Sequence, residues 1–187
     1  MTEPSTPQPT GRGLNPVQLD YLLRPIDPNR VFETQGQSHL KAWDIRRHLN
    51  RFFGFGGWSY TTSAELVAEH RKDDHQKKNY KTGEPYGPKF TAWTVVYRAK
   101  VRLIVRDPHG NELAHFEEYA AGDAVNQPSL GDAHDMAMKT AESQALKRCA
   151  VNLGDQFGLS LYADGTTAAT VQATLDRATP KPEQAAA

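Results

Sequence analysis

Residues 91–106 read TAWTVVYRAKVRLIVR, and this stretch decides the fold. Every second residue from Trp93 to Val105 is apolar or small, and basic residues recur at the positions between them. Such period-two alternation predicts a β-strand with one face on the core and the other in solvent. The turn sequence DPHGN at 107–111 follows, and a return strand over 112–121 completes a long antiparallel hairpin.

A further strand is predicted upstream of this hairpin, over 58–71, with Trp58 and Tyr60 as apolar anchors. It leads into a long polar stretch over 72–90. Between residues 71 and 89 the chain holds six basic residues against three acidic ones. Two interpretations of this stretch remain open: a solvated hairpin loop, or a flexible basic arm.

Two helices are predicted in the first third of the chain from their cap residues and 3.6-residue periodicity. Asn15 caps the first helix, Pro16 occupies its first position, and it runs to about Leu23. The second helix spans 39–53, and Gly54 ends it.

A third and longer helix is predicted after the hairpin. A loop over 123–130 leads to Asp132 as the cap, and Gly154 stops the helix after Leu153. Its apolar line is made mostly of small residues, which let a helix lie close to a sheet: Met138, Ala141, Ala145, Cys149 and Leu153. The predicted fold class is therefore α+β, an antiparallel β-sheet with a long β-hairpin packed against helices.

Composition limits the surroundings and the domain count. Lys plus Arg number 22 and Asp plus Glu number 22, so the net charge is zero and any basic footprint must be local. Cys149 is the single cysteine, which excludes an intrachain disulfide and fits a reducing compartment. No apolar run approaches the roughly 20 residues of a membrane span. With an N-terminus that is unlike a signal peptide, these features predict a cytoplasmic protein without membrane contact.

One domain with two tails is predicted. Residues 1–13 are rich in Pro, Thr and Gln and are expected to be disordered, and the domain proper spans 14–163. Residues 164–187 form a disordered or frayed C-terminal tail, in which about 170–178 are expected to be weakly helical. The stretch 157–162 is expected to dock on the core.

The second face of the hairpin strand is the first candidate for a binding surface. Arg98, Lys100 and Arg102, with Arg106, point the same way at about 6–7 Å spacing, which is close to the repeat of a phosphate backbone. The alternative is an ordinary solvated sheet face. In that case the cations pair with carboxylates opposite, at Glu112, Glu117 and Glu118.

The long helix is the second candidate. Lys139, Ser143 and Lys147 are four residues apart and share one face, and Arg148 is adjacent. The helix thus presents small apolar residues inward and a basic stripe outward. Ordinary surface charges are the alternative.

The stretch FFGFGGW at 52–58 is the third candidate, with Arg46, Arg47 and Arg51 on the preceding helix. A cap needs only one glycine, so three of them leave bare backbone beside aromatic faces on which bases can stack. The alternative is a capped helix that runs into a strand, with Phe53 and Trp58 in the core.

Enzyme chemistry finds little support in the sequence. There is no P-loop, and the glycine-rich stretch follows a helix, the wrong context for a dinucleotide fingerprint. The clusters at 70–75 and 132–135 lack a recognised metal-ligand spacing. Cys149 lies on the predicted buried line, which favours a packed thiol over a nucleophile. No catalytic residue, metal or cofactor is therefore predicted.

Taken in order, these segments resemble the annealing domain of the Rad52 family of recombination proteins. The family pattern has a helix that ends Phe-Gly-(Phe/Tyr)-x-Gly-Trp, then a β-hairpin region, then a helix with a Leu-Lys-Arg motif. The matching stretches are LLRPIDP at 22–28, FGFGGW at 53–58, the hairpin at 91–121, and ALKR at 145–148 followed by LG at 153–154. The resemblance covers about residues 14–163.

The resemblance implies a homo-oligomeric ring of about ten or eleven subunits that binds single-stranded DNA in a basic groove and anneals complementary strands without ATP. It implies no enzymatic activity. Lys147 and Arg148 match the DNA-contact pair of the Leu-Lys-Arg motif, Lys139 matches a basic position two turns earlier, and Phe55 matches the aromatic of the first motif. A single-strand-binding protein or a recombinase is a further candidate partner.

The chain also departs from the family pattern. Val151 stands where the family often has an arginine, and Asp44 stands where it has a basic residue, although Arg46 and Arg47 are close. The chain lacks the long C-terminal extension of eukaryotic members, which favours a compact phage or bacterial protein. Two other classes stay open: an oligomeric α+β scaffold that binds a protein partner, and a metal-dependent nuclease.

Overall fold

The structure is a computed structural model and describes residues 13–34 and 36–174. The protein contains a three-stranded antiparallel sheet with helices packed on one face. The strands are β3 Trp58–Lys78, β4 Pro85–Arg106 and β5 Glu112–Gln127, and β4 lies between the other two. The α+β class and the antiparallel hairpin are confirmed.

The alternation along β4 is confirmed by burial. Val95, Ala99, Val101, Leu103 and Val105 are all buried, whereas the residues between them are exposed or half-buried. The buried face packs under α3, Leu130–Val151. The sheet therefore has one dry face under helices and one wet face, as antiparallel sheets commonly do.

Helix α3 lies very close to the sheet. A Cβ added at Gly122 on β5 would fall 2.2 Å from the backbone nitrogen of Ala141 and 2.6 Å from the carbonyl oxygen of Ala137. The small-residue line is thus confirmed, but the prediction for Met138 is wrong because its side chain is 39% exposed. The buried line keeps a strict four-residue spacing through Ala133, Ala137, Ala141, Ala145 and Cys149.

Two predicted boundaries near this helix are wrong. Strand β5 continues to Gln127, where a loop was predicted from residue 123, because its residues still pair with β4 as far as Trp93. Ser129, and not Asp132, caps α3, and its hydroxyl accepts the N–H of Asp132. Asp132 lies in the first turn instead, where a carboxylate also favours the helix.

The prediction of a loop over the polar stretch 72–90 is wrong for most of its residues, because they form paired strands. Strand β3 runs on to Lys78 and β4 begins at Pro85, so only residues 79–84 form a turn. The alternation rule failed here because both faces of these strands are exposed and no apolar period marks them. Register shifts interrupt the pairing between Lys72 and His75 and between His75 and Lys77.

The helical layer is built from α1 Pro16–Leu22, α2 Ala42–Phe53 and α4 Leu159–Ala163, with 3-10 turns at 28–30 and 155–157. A small sheet, β1 Phe32–Thr34 and β2 Gln37–His39, precedes α2. Helix α2 therefore starts three residues later than the predicted helix over 39–53. At α1, the prediction of Asn15 as cap is confirmed, with a full capping box to Gln18.

The main core lies between α2, α3 and the sheet. Ile45, Leu49 and Phe52 of α2 pack with Leu103 of β4 and Phe157. The docking of 157–162 is confirmed for Phe157 and Leu161, which are buried, while Tyr162 is 64% exposed.

A buried polar network joins three distant segments beside this core. The guanidinium of Arg30 donates from Nε and Nη2 to Oδ2 of Asp44, at 3.0 and 2.9 Å, and from Nη1 to Oε1 of Gln156 at 3.0 Å. Gln156 in turn donates to the carbonyl oxygens of Arg24 and Pro25. The family position occupied by Asp44 thus serves packing in this chain.

The chain after α4 has no regular secondary structure, but hydrogen bonds hold it against the helical layer. Ile26 donates its N–H to the carbonyl of Thr167, and the carboxylate of Asp155 accepts the N–H groups of Thr170 and Val171. Residues 170–174, the described part of the weak helix predicted over about 170–178, are not helical. The predictions of disordered tails extend over residues 1–12 and 175–187, which lie outside the described residues. Within 13–34 and 36–174, no helix combines the length and apolarity needed to cross a membrane.

Candidate nucleic-acid interface

Lys147 lies at the edge of an open cleft of about 850 Å³, called the Lys147 cleft below. The cleft runs between α3, the β1–β2 hairpin and the end of α4. Partial burial lowers the pKa of the Lys147 amine, because a desolvated ammonium is disfavoured. Among the described residues no carboxylate forms an ion pair with it. An anion entering the cleft would offset this desolvation.

The opposite side of the cleft was not predicted from the sequence. It includes Gln37, Ser38 and His39 from β2 and the exposed ring of Tyr162. The available signal was Gly36, whose φ of 75° makes the β1–β2 turn. Hydroxyl, amide and imidazole groups, and the carboxylate of Asp164, therefore line the cleft together with Lys147 and an aromatic ring.

Arg148 points away from this cleft. Adjacent residues on a helix are separated by about 100°, so the two side chains of the motif diverge. Nη1 of Arg148 donates to the backbone carbonyl of Tyr119 on β5 at 2.7 Å, and the side chain is exposed. Lys139 is also exposed, at 73%, and its amine binds Asp135 at 2.6 Å in an i,i+4 pair. Within the described part of the chain, Lys147 is thus the cation of the predicted α3 stripe that forms no ion pair, whereas Lys139 and Arg148 bind local acceptors.

The glycine-rich turn leaves Phe55 in solvent. Gly54 ends α2 with φ of 78°, and a Cβ at Gly57 would lie 1.8 Å from the carbonyl oxygen of Phe53. Both glycines are therefore demanded by the backbone, whereas Gly56 has open space around it. The ring of Phe55 is 92% exposed, which suits stacking and not packing.

The flanking aromatics are structural. Phe53 packs against the main core, and the indole of Trp58 stacks on Tyr60 with ring centroids 6.1 Å apart. Nε1 of Trp58 donates to Oδ1 of Asn50 at 2.7 Å, which ties the turn back to α2.

The arginines of α2 differ in their freedom. Arg46 is 34% exposed and binds Glu142 of α3 at 3.2 Å. Arg47 is 55% exposed, binds Asp44 at 2.6 Å and lies over the ring of Trp43. Arg46 thus serves as a bridge between helices, and Arg47 is the more accessible of the two.

Three cations of the outer sheet face are paired with carboxylates, whereas Arg106 donates to the hydroxyl of Ser59. Arg98 binds Glu65 at 2.7 Å, Lys100 binds Glu117 at 2.6 Å, and Arg102 lies 3.8 Å from Glu117. The hydrogen bond to Lys100 lowers the pKa of the Glu117 carboxyl, and the same bond raises the pKa of Lys100. The geometry agrees with the solvated-face alternative, through Glu65 and Glu117.

Potential catalytic groups are engaged in structure. Cys149 is buried, burial raises its thiol pKa, and its S–H lies 3.3 Å from the carbonyl oxygen of Val101. Nε2 of His134 is 3.1 Å from a carboxylate oxygen of Glu69. Among the residues that the structure describes, no group of three or more His, Cys, Asp or Glu side chains could hold a metal.

Comparison with known families agrees with this architecture. Residues 18–179 match the family described as Rad52/22 family double-strand break repair protein. Because the match spans most of the chain, the protein belongs to the Rad52/22 family, and the resemblance drawn from the sequence is confirmed. No individual curated protein matches significantly. Family membership implies a role in double-strand break repair and recombination, with DNA as a partner.

Proposed function

We propose that the protein binds single-stranded DNA and anneals complementary strands without ATP. The observation that carries this proposal is Lys147, a partly buried ammonium without an acidic partner among the described residues, at the edge of an open polar cleft. A phosphate group is the anion expected there in a family that acts in double-strand break repair.

The surroundings of Lys147 suit a single strand more than a small metabolite. The cleft is open and polar, so it resembles a channel and not an enclosing pocket. Tyr162 at its edge and Phe55 on the glycine turn offer exposed rings for base stacking, which contributes about 1–3 kcal/mol per base. Backbone binding of this kind leaves base edges free to pair.

The other candidate residues are expected to contribute to DNA binding in different ways. Lys139, Arg47 and Arg148 are exposed and hold exchangeable local partners, so they are proposed as further phosphate contacts outside the Lys147 cleft. Arg46 is proposed to hold α2 and α3 together at the site.

The sheet residues carry less weight than the helical ones. Arg98, Lys100 and Arg102 alternate with the buried residues of β4, so they lie on the sheet face opposite α3. In one protomer they cannot share a groove with Lys147. We retain them as weaker DNA contacts that must first give up their carboxylate partners.

Assembly into a ring of about ten or eleven subunits, as the family resemblance implies, belongs to the same proposal. Such a ring would join the clefts of neighbouring protomers into a continuous groove. It would also allow Phe55 and Lys147, which lie on different elements of one chain, to contact the same strand.

The test compares the Lys147→Ala plus Arg148→Ala variant with a control that loses two positive charges elsewhere, Arg24→Ala plus Lys41→Ala. Fluorescence anisotropy with labelled oligo-dT, repeated over a salt series, measures binding. We expect the first variant to bind at least tenfold more weakly at 0.1 M salt, with a salt slope reduced by about 1.4 for two lost contacts to single-strand phosphates.

Annealing of two complementary oligonucleotides, followed by energy transfer, is expected to slow in parallel, while light scattering gives an unchanged oligomer mass. Normal annealing by the Lys147/Arg148 variant would show that the site is misplaced. An assembly that ignores oligo-dT at low salt would favour the protein-binding scaffold. Phe55→Ala is expected to weaken binding without loss of stability, because its ring is in solvent.

A further inference from the structure

The outer part of strands β3 and β4 forms a two-stranded ribbon, defined here as residues 72–91. The last residue of β5 pairs with Trp93, so beyond that point the sheet narrows from three strands to two. Most ribbon residues are exposed, and His75, Gln76, Phe90 and Thr91 are half-buried. The paired portions and turn reach about 20 Å past the three-stranded part. A two-stranded ribbon with no apolar face has little stability of its own, so it contributes little to the core.

The ribbon concentrates positive charge in a chain whose net charge is zero. Between residues 71 and 89 there are six basic residues and three acidic ones. Arg71 binds Asp73 at 3.0 Å at the base. Further out, no ion pair is formed within the described residues by Lys72, Lys77, Lys78, Lys81 or Lys89. This differs from the outer sheet face, where each of Arg98, Lys100 and Arg102 has a carboxylate.

The cations lie on both faces of the ribbon. Lys77 pairs in register with Tyr86 and Lys78 with Pro85, and successive residues of a strand point to opposite faces. At the turn, Tyr80 is 90% exposed with the amine of Lys81 over its ring, 5.6 Å from the centroid. A groove for one strand needs cations on one side only. Cations on two faces suit a ligand with a phosphate wall on each side.

We propose that this ribbon binds double-stranded DNA by entering a groove of the duplex. The major groove is about 12 Å wide and admits a two-stranded β-ribbon, and its two backbones would then face Lys77 and Lys78 from opposite sides. The inference rests on the proposed function only in taking DNA as the partner. It adds a contact to duplex, the product of annealing, at a place separate from the Lys147 cleft.

The experiment uses the full chain and two labelled probes, a 20-base-pair duplex and oligo-dT. Lys77→Gln plus Lys78→Gln is compared with Arg24→Gln plus Lys41→Gln, which changes the net charge equally outside the ribbon. We expect the ribbon variant to lose about tenfold or more in duplex affinity at 0.1 M salt, with a salt slope lower by about 1.8. Oligo-dT affinity is expected to change less than about twofold, and the control to keep duplex affinity. The variant Lys77→Arg plus Lys78→Arg keeps both positive charges, so it should bind the duplex about as tightly as the wild-type protein.

Several outcomes would overturn the inference. These are unchanged duplex binding by the ribbon variant, an equal loss in the control, an equal loss with oligo-dT, or a changed oligomer mass, which would assign the ribbon to a subunit contact. A wild-type protein that binds oligo-dT but no duplex would overturn the ribbon site alone. A wild-type protein that binds neither probe would overturn the proposed function as well.

Discussion

Strands β3 and β4 pass through two environments, and the contrast separates stability from binding. In the three-stranded part, Val101 and Leu103 of β4 are fully buried and the cations of the opposite face hold carboxylates. In the ribbon the same two strands continue with both faces in solvent and with lysines that form no ion pair within the described residues. Strand pairing therefore extends beyond the core that stabilises it, and the extension is free to serve a ligand.

The largest difference in stability is expected between an aspartate of the helical layer, Asp44, and an aspartate of the ribbon, Asp73. Asp44→Ala leaves the buried guanidinium of Arg30 without its carboxylate and should lower the free energy of unfolding by about 3–5 kcal/mol. Asp73→Ala removes an exposed ribbon carboxylate that binds Arg71 and Thr91, and should leave the midpoint close to wild type. Urea unfolding followed by circular dichroism measures both. Equal losses would mean that the ribbon contributes to the core after all.

A smaller difference in stability is expected between substitutions at two glycines, one under α3 and one in the ribbon. Gly122→Ala forces a Cβ into the backbone of α3 and should cost about 1–3 kcal/mol or more, because the helix must move. Gly87→Ala, in the ribbon, meets nothing within 4 Å and costs only the strain of φ at 75°, about 1 kcal/mol. Thermal unfolding of the two variants should rank them in that order, and the reverse order would contradict the close approach of α3.

The smallest effect is a pH dependence confined to the three-stranded part and its helices. Burial, and next the charge of Arg30, lowers the pKa of His48, which lies beside Asp44 and Arg47. The unfolded chain therefore binds this proton at a higher pH than the folded chain does. Stability should fall as the pH drops below about 6.5, the ordinary histidine value.

His48→Gln should flatten that decline, as measured by unfolding midpoints between pH 7.5 and pH 5. His70→Gln, which removes an exposed imidazole from β3, is the matched control and should keep it. An unchanged slope in the His48 variant would assign the decline to other groups.

Much of the fold was predictable because local signals agreed with burial. The alternation of 91–106, the Asn15 cap and the Gly54 stop each express a rule that acts over a few residues. The ribbon was missed for the converse reason, since strands without a buried face carry no apolar period. The prediction that Met138 is buried was wrong because helical spacing alone does not tell which of two adjacent rows of side chains faces the sheet.

The candidate site was predictable only in part. The motif around Lys147 identified the residue, but its cleft is formed by His39 and Tyr162, more than a hundred residues apart in sequence. The acidic residue at Asp44 looked like a weakened DNA site, and the structure gives it Arg30 as a buried partner. That pairing has no local sequence signature.

The network of Arg30, Asp44 and Gln156 sets a constraint on the order of folding. Arg30 and Gln156 are separated by 126 positions, so the buried guanidinium of Arg30 cannot complete its hydrogen bonds until residue 156 has left the ribosome. The hairpin of β4 and β5 pairs residues that are at most 34 positions apart, Trp93 with Gln127, and needs no such wait. During synthesis the sheet is expected to form first, with the helical layer closing on it late.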